Sequence, residues 1–211
     1  MSDLKTRLDA VSQSVPEPIA TRIDAGVAEL AASGVAPGLA VGATAPTFAL
    51  PDAFGATVSL DELLTRGPVV ITFYRGDWCP FCNLQLRALQ ESLDEIHAAG
   101  ASLVAISAQA PDHAGDLITK HELAFPVLSD LDQSVSEAYR VRFDLSGELE
   151  DLQVNVFQND PAAQNADGRR SLPVASTFIV DADRIVRFSS VDADWRHRVE
   201  PADVVAAVAS L

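Results

Sequence analysis

Residues 69–83 read Val69-Val70-Ile71-Thr72-Phe73-Tyr74-Arg75-Gly76-Asp77-Trp78-Cys79-Pro80-Phe81-Cys82-Asn83, and this stretch decides the fold. Val69 to Tyr74 is a β-branched and aromatic run of strand length, set off by a Gly67-Pro68 breaker. Beyond it the period changes. Leu86, Leu89, Leu93 and Ile96 recur at steps of three and four with polar residues between them, which predicts an amphipathic helix ending near Gly100. Pro80 falls where that helix begins, a position at which its missing N–H costs nothing. Cys79 and Cys82, the two cysteines of the chain, therefore lie where a buried strand feeds a helix.

The chemistry of such a junction is specific. A helix N-terminus carries unsatisfied N–H groups and the positive end of the dipole, and both stabilise a thiolate over a thiol. A spacing of three on the first turn puts both side chains on one face. The pair can close a small disulfide, and either sulfur can attack a partner's sulfur or a peroxide oxygen. Arg75, four residues before Cys79, adds a cation, and Trp78 shields the thiolate, forms a contact surface for a partner reductase, or packs. The competing readings are two small core residues or half of a zinc site. Zinc needs three or four protein ligands, and the chain has neither a second Cys-x-x-Cys nor a nearby pair of histidines. Neither a metal nor a cofactor is expected.

The segment Phe73-Tyr74-Arg75-Gly76-Asp77-Trp78-Cys79-Pro80-Phe81-Cys82 resembles the active-site signature of peroxiredoxin-like proteins of the alkyl hydroperoxide reductase and thiol-specific antioxidant family, which adopt a thioredoxin fold. Residues 42–52 are similar to that family's opening segment and residues 172–181 to its late strand. The resemblance implies a thiol peroxidase acting on hydrogen peroxide or organic hydroperoxides and recycled by thioredoxin or a similar reductant. It also departs from the family pattern. Arg75 stands at the usual Pro, Cys79 at the usual Thr or Ser, and Ala175 at the usual Arg before Ser-Thr-Phe. Aligned on Phe73-Tyr74, Cys82 is the peroxidatic cysteine. Aligned on Trp-Cys-x-x-Cys, as in thioredoxin, Cys79 attacks and Cys82 resolves.

Composition bounds the rest. The 211 residues suggest one domain with an appendage, and 48% apolar residues suffice for one core. A net charge of −15 argues against nucleic acid or an anionic membrane surface as partner. No apolar run is long enough to span a bilayer, and the N-terminus lacks an apolar signal core. A cytoplasmic location follows as an expectation, and there a Cys-x-x-Cys is catalytic or metal-binding more often than structural.

In chain order, residues 3–33 read as two helices broken at Pro16 and Pro18 and closed by Gly34. They form an N-terminal helical extension (residues 1–40) to a thioredoxin-like domain (residues 41–211), covering the core or serving as a dimerisation arm in a homodimer. Strand, cysteine helix and strand (Ser102 to Ala108) make a parallel βαβ unit. Pro111 to Leu123 reads as a helix, Phe125 to Leu128 as a short strand, and a further helix runs to about Tyr139. Residues 141–171 read as an insertion or lid with a strand at 152–157. Thr177 to Val180 and Ile185 to Phe188 form a hairpin, and residues 201–211 close the chain with a helix. The result is an α/β, thioredoxin-like fold, a mixed central sheet flanked by helices.

The four histidines lack metal-site spacing, and Asp181 and Asp183 suit a hairpin turn. Arg75, Arg184, Arg187 and Arg198 are candidates to hold an anion, and sequence alone places Arg75 near the thiols. Two other functions fit the same residues: a thiol–disulfide oxidoreductase acting on proteins, and a non-enzymatic binding module that keeps the fold.

Overall fold

The computed structural model describes residues 3–211. Its centre is a five-stranded sheet whose strands, in spatial order, are residues 127–129, 102–107, 69–73, 176–180 and 186–191. The chain reaches it through helices α1 (Leu4–Gln13) and α2 (Glu17–Ser33), then a hairpin of β1 (Ala49–Pro51) and β2 (Thr57–Ser59), then α3 (Leu60–Leu64). Strand β3 (Val69–Phe73) leads into α4 (Pro80–Glu91) and α5 (Leu93–Ala98), and β4 (Ser102–Ser107) returns parallel to β3. Helix α6 (Pro111–His121) and β5 (Val127–Ser129) repeat the parallel crossover. After α7 (Ser134–Ala138), β6 (Arg142–Asp144) and α8 (Gly147–Asp151), the strand β7 (Ser171–Pro173) pairs back on β6. Strands β8 (Ser176–Val180) and β9 (Val186–Val191) then complete the sheet antiparallel, and α9 (Pro201–Ala209) closes the fold.

Every residue of β3 is buried, as expected of a strand covered on both faces. Alternation divides the core. Val70, Leu103 and Ile179 point to the face covered by α4, α5, α6 and α9, with Leu4 and Leu8 of α1 in the same cluster. Ile71, Phe73, Val104 and Phe178 point to the other, against Leu60, Leu63, Leu64 and Tyr139. Phe73, Phe178 and Tyr139 pack there as tilted and edge-on rings with centroids 5.2 to 6.1 Å apart.

The N-terminal helices are fastened to this body. Glu200 accepts hydrogen bonds from the Leu4 and Lys5 amides, and Asp3 caps the helix at the Thr6 amide. Helix α2 lies on α8 so closely that a Cβ at Gly26 would sit 2.5 Å from Leu149 Cδ2. Arg22 reaches across the same contact to Glu148 and Asp151.

Two expectations are corrected. The cysteine helix is not continuous to Gly100: it stops at Ser92, whose φ of −107° and ψ of 10° lie outside the helical region, and restarts as α5. Residues 152–157 do not form a strand. Leu152–Val156 is a π-helical turn running on from α8. The alternating Leu152, Val154 and Val156 suggested a period of two, but the wider helical turn instead directs Gln153 into the interior, where it is 1% exposed.

Candidate active site

Strand β3 ends at Phe73, and the Tyr74 amide still donates to the Ile106 carbonyl (3.0 Å), so the chain leaves the sheet at Arg75. The turn that follows is tight. A Cβ at Gly76 would lie 2.2 Å from Trp78 Nε1, so glycine is what lets the indole fold back on the loop. Asp77 is held on both sides: its amide donates to Gln109 Oε1 (2.7 Å), and its carboxylate accepts from Gln109 Nε2 (2.7 Å) and meets His113 Nδ1 (3.2 Å). Nothing in the sequence pointed to this clasp between the cysteine loop and the segment after β4.

Cys79 is the N-cap residue of α4, and Pro80 is the first helical position. Cys82 follows on the first turn. Both cysteines are buried and unbridged. Two donors converge on the Cys82 sulfur: the Arg75 amide at 3.5 Å and the Arg198 guanidinium Nη2 at 3.6 Å. The Arg75 side chain approaches the other sulfur, with Nη1 3.9 Å from Cys79 Sγ.

The two thiols are thereby driven apart. Burial pushes Cys82 up, but the Cys79 hydrogen bond, the Arg198 charge, the Arg75 amide and the Arg75 charge together bring it down to about 5. Burial, and then the hydrogen bond it donates to Cys82, hold Cys79 well above an ordinary thiol. These surroundings favour the negative charge on Cys82 and the proton on Cys79.

Each cation is positioned by a different device. Arg198 donates through Nε to Gln85 Oε1 (2.7 Å) and through Nη1 to the His197 carbonyl (2.6 Å), and Gln85 is itself 1% exposed on α4. Arg75 lies between two indoles, 4.3 Å from the Trp195 ring centroid and 5.0 Å from that of Trp78. Its Nη2 donates to Gln153 Oε1 (3.0 Å), while Arg75 Nε and Gln153 Nε2 are buried without a partner. Burial, the largest influence on Arg75, pushes its pKa down, and the neighbouring thiols oppose this. Neither arginine forms an ion pair with a carboxylate among the described residues, although the chain carries fifteen more acidic than basic residues.

Two openings flank the pair. A mostly apolar cleft of about 370 Å³ is lined by Cys79, Arg75, both tryptophans and part of α1. A smaller polar recess of about 170 Å³ is lined by Arg198, Gln85, Ala175 and Thr177. Sequence reasoning placed Arg75 and Trp78 beside the thiols, and the structure brings both there. Arg184 and Arg187 lie elsewhere, on the β8–β9 hairpin, where Arg187 pairs with Asp181. Trp195 and Gln153 were missed as site residues, since neither carries a signal that places it near the thiols along the chain. No group of three or more potential ligands for a metal occurs among the described residues.

A dithiol at the start of the helix that follows the central strand of a mixed sheet defines a thioredoxin-fold protein with a two-cysteine site. The sequence model of the AhpC/TSA family matches residues 41–189, and the chain belongs to that family. It is 34% identical over 123 residues to chloroplastic peroxiredoxin Q of Oryza sativa subsp. japonica, covering 58% of this chain and 56% of the relative. It is 34% identical over 103 residues to peroxiredoxin Bcp of Escherichia coli K12, covering 49% of this chain and 65% of that one. The matches thus span a little over half the length of these curated relatives. Among solved structures, peroxidoxin BcpB of Mycobacterium tuberculosis superposes with a TM-score of 0.64 at 23% identity, over 81% of this chain and 97% of the other, a likeness of fold.

Proposed function

We propose that this chain is a thiol-dependent peroxidase in which Cys82 is the peroxidatic cysteine and Cys79 the resolving one. The observation that carries the reading is the asymmetry of the pair: Cys82 is stabilised as a thiolate by Arg198, the Arg75 amide and the Cys79 thiol, while Cys79 keeps its proton. A nucleophile must be a thiolate, and a resolving partner must be close and still able to give up a proton.

The step proposed follows from that arrangement. The Cys82 thiolate attacks the terminal oxygen of R–O–O–H. The O–O bond breaks, Cys82 becomes a sulfenic acid, and the leaving alkoxide takes the Cys79 proton. The Cys79 thiolate so formed attacks the Cys82 sulfur, expels hydroxide, which is protonated by solvent, and leaves the Cys79–Cys82 disulfide. Arg75 and Arg198 offset charge on the sulfur and on the departing oxygen. A dithiol reductant of the thioredoxin type restores the thiols by exchange, and Cys82, the lower-pKa sulfur, is the better leaving group. The matches to peroxiredoxins Q and Bcp support the reaction class. A cytoplasmic location remains part of this proposal, and no helix among the described residues is long and apolar enough to cross a membrane.

The test is stopped-flow oxidation of the reduced protein by peroxide, with mass-spectrometric mapping of the product. The reading requires rapid formation of a Cys79–Cys82 disulfide. A rate no faster than that of free cysteine sinks it.

One observation favours a second reading. Cys79, and not Cys82, lines the larger cleft, which suits attack by Cys79 on a protein disulfide. Catalysed reduction of insulin disulfides without peroxide turnover would select it. Ordinary reactivity at both thiols would leave a binding module.

A further inference from the structure

The turn from Arg75 to Cys79 carries one sulfur of the pair, and α4 carries the other. Whether the two can meet depends on how that turn is held. Locally, the Cys79 amide donates to the Gly76 carbonyl (3.1 Å) and Asn83 Nδ2 to the Asp77 carbonyl (2.9 Å). A further hold comes from outside and passes through Gln109, a side chain 1% exposed. Its Oε1 accepts from the Asp77 amide and its Nε2 donates to the Asp77 carboxylate, both at 2.7 Å. Nε2 also donates to Gln164 Oε1 (2.9 Å). Gln164 donates in turn to Asn159 Oδ1, the Asn159 amide donates to the Gln153 carbonyl (3.0 Å), and the Gln153 side chain accepts from Arg75. The circuit thus returns to the turn where it began, two residues before Asp77. Resting on the peroxidase reading above, we propose that Gln109 is a positioning residue for the resolving step, holding the turn so that Cys79 stays within reach of Cys82.

In that step the Cys79 thiolate forms the S–S bond, the S–O bond of the Cys82 sulfenic acid breaks, and the hydroxide released takes a proton from solvent. Gln109 acts on it through Asp77 and not on the sulfurs themselves. Three features single it out. An amide side chain offers one acceptor and one donor group, which match the N–H and the carboxylate that Asp77 presents. The contact is buried, where water competes little for either bond. Its base is firm, since the Ala110 amide donates to the Gln164 carbonyl (3.2 Å) and the Ala166 amide to the Ala108 carbonyl (3.0 Å), pairing the chain on both sides of Gln109. Cys82 depends on this hold less. It lies inside the first turn of α4, and the Arg75 amide beside it follows directly on β3. A loosened turn therefore leaves the attacking sulfur in place and slows the meeting of the two, and a misplacement of about 1 Å costs on the order of a hundredfold in rate.

The experiment is quench-flow oxidation of the reduced protein with cumene hydroperoxide, with dimedone in the quench and mass spectrometry counting the Cys82 sulfenic acid and the Cys79–Cys82 disulfide. Gln109→Met removes both bonds to Asp77 with little change of size. Gln109→Glu keeps the acceptor for the Asp77 amide but sets a carboxylate against the Asp77 carboxylate. Each is expected to slow disulfide formation about tenfold or more while the sulfenic acid forms within about threefold of the wild-type rate, so that it accumulates. A residue needed for folding alone gives no such selectivity, since a general loss of structure slows both steps. Asp77→Asn combined with Gln109→Glu exchanges donor and acceptor across the contact and is expected to bring disulfide formation back to within about threefold of wild type. That pair carries the test where Gln109→Met does not fold. Unchanged disulfide formation in the single variants overturns the assignment, as does equal slowing of both steps, and as does a double variant no faster than Gln109→Glu. A wild-type protein inert to peroxide overturns the peroxidase reading instead. The positioning role is then read with methyl methanethiosulfonate, which transfers its methylthio group to the Cys82 thiolate with loss of methanesulfinate, after which Cys79 displaces methanethiolate from Cys82. The same ranking of variants is expected in that displacement, and equal rates overturn the assignment.

Discussion

The Arg198 guanidinium lies 3.6 Å from the Cys82 sulfur although 116 residues separate the two in sequence. It is a cation delivered to a buried sulfur by a side chain anchored on Gln85, one helical turn further along α4. Ala175, where the family pattern would carry an arginine, lines the recess beside it. The positive charge is thus present at the dithiol but arrives from a different part of the chain.

Replacing Arg198 with Met removes that charge, so the Cys82 thiolate loses support and its pKa rises from about 5. Below both midpoints, alkylation of Cys82 by iodoacetamide slows about tenfold for each unit of rise. Arg198→Lys should recover part of the effect, since charge survives without the guanidinium fork. A pH profile of Cys82 alkylation that does not move in Arg198→Met would remove Arg198 from the account.

The peroxide reaction should have an acid limb. Cys82 is depressed, and its reactive form is the deprotonated one, so reactivity is lost as pH falls through its pKa and not as pH rises. The second-order rate of the reduced protein with cumene hydroperoxide is expected to be flat from neutrality down to about 5, then to drop tenfold per unit. An inflection near the ordinary thiol value of 9.0 would contradict the assignment.

The two cysteines should fail in different ways. Cys82→Ser is expected to lose the peroxide reaction by about three orders of magnitude or more, since no thiolate remains to attack. Cys79→Ser is expected to react once and stop at a sulfenic acid on Cys82, which dimedone labels. Faster labelling at Cys79 in the Cys82→Ser variant than at Cys82 in the Cys79→Ser variant would reverse the roles.

Arg75→Lys keeps the charge but gives up the planar group held between Trp78 and Trp195 and its bond to Gln153. The rate with cumene hydroperoxide is expected to fall by roughly one to two orders of magnitude, the scale of losing one preorganised donor. The tryptophan emission should change with it. An unaltered rate would show that the stacked guanidinium does not contribute.

Gly67→Ala tests the scaffold rather than the site. Gly67 has φ of 138°, and a Cβ there would meet the Gly100 carbonyl oxygen at 2.3 Å. Backbone strain of this kind costs about 1–3 kcal/mol, so the urea midpoint should fall with the slope unchanged. An unchanged midpoint would mean that the approach of the two loops relaxes freely.

Much of this was written in local patterns. The buried run Val69 to Phe73, the proline at the helix start and the three-residue spacing of the cysteines fix a strand, a turn and a helix by interactions among near neighbours. Patterns failed where two periods fit the same letters. Leu152 to Val156 alternates like a strand, yet it continues α8 as a π-helical turn that directs Gln153 inward to Arg75. The break at Ser92 was hidden for a related reason, since the apolar spacing runs through it unbroken.

The sequence by itself determined the class of fold, the two sulfurs on one helical turn and Arg75 beside them, because backbone sterics, helix period and hydrophobic alternation act over a few residues. Only the tertiary structure decided what surrounds each sulfur. Those surroundings include Arg198, Trp195 and Gln153, brought to the dithiol from segments distant in sequence, and burial that makes each of their charges and donors count. Electrostatic and packing contacts of that range are set by distance in space, which spacing along the chain does not encode.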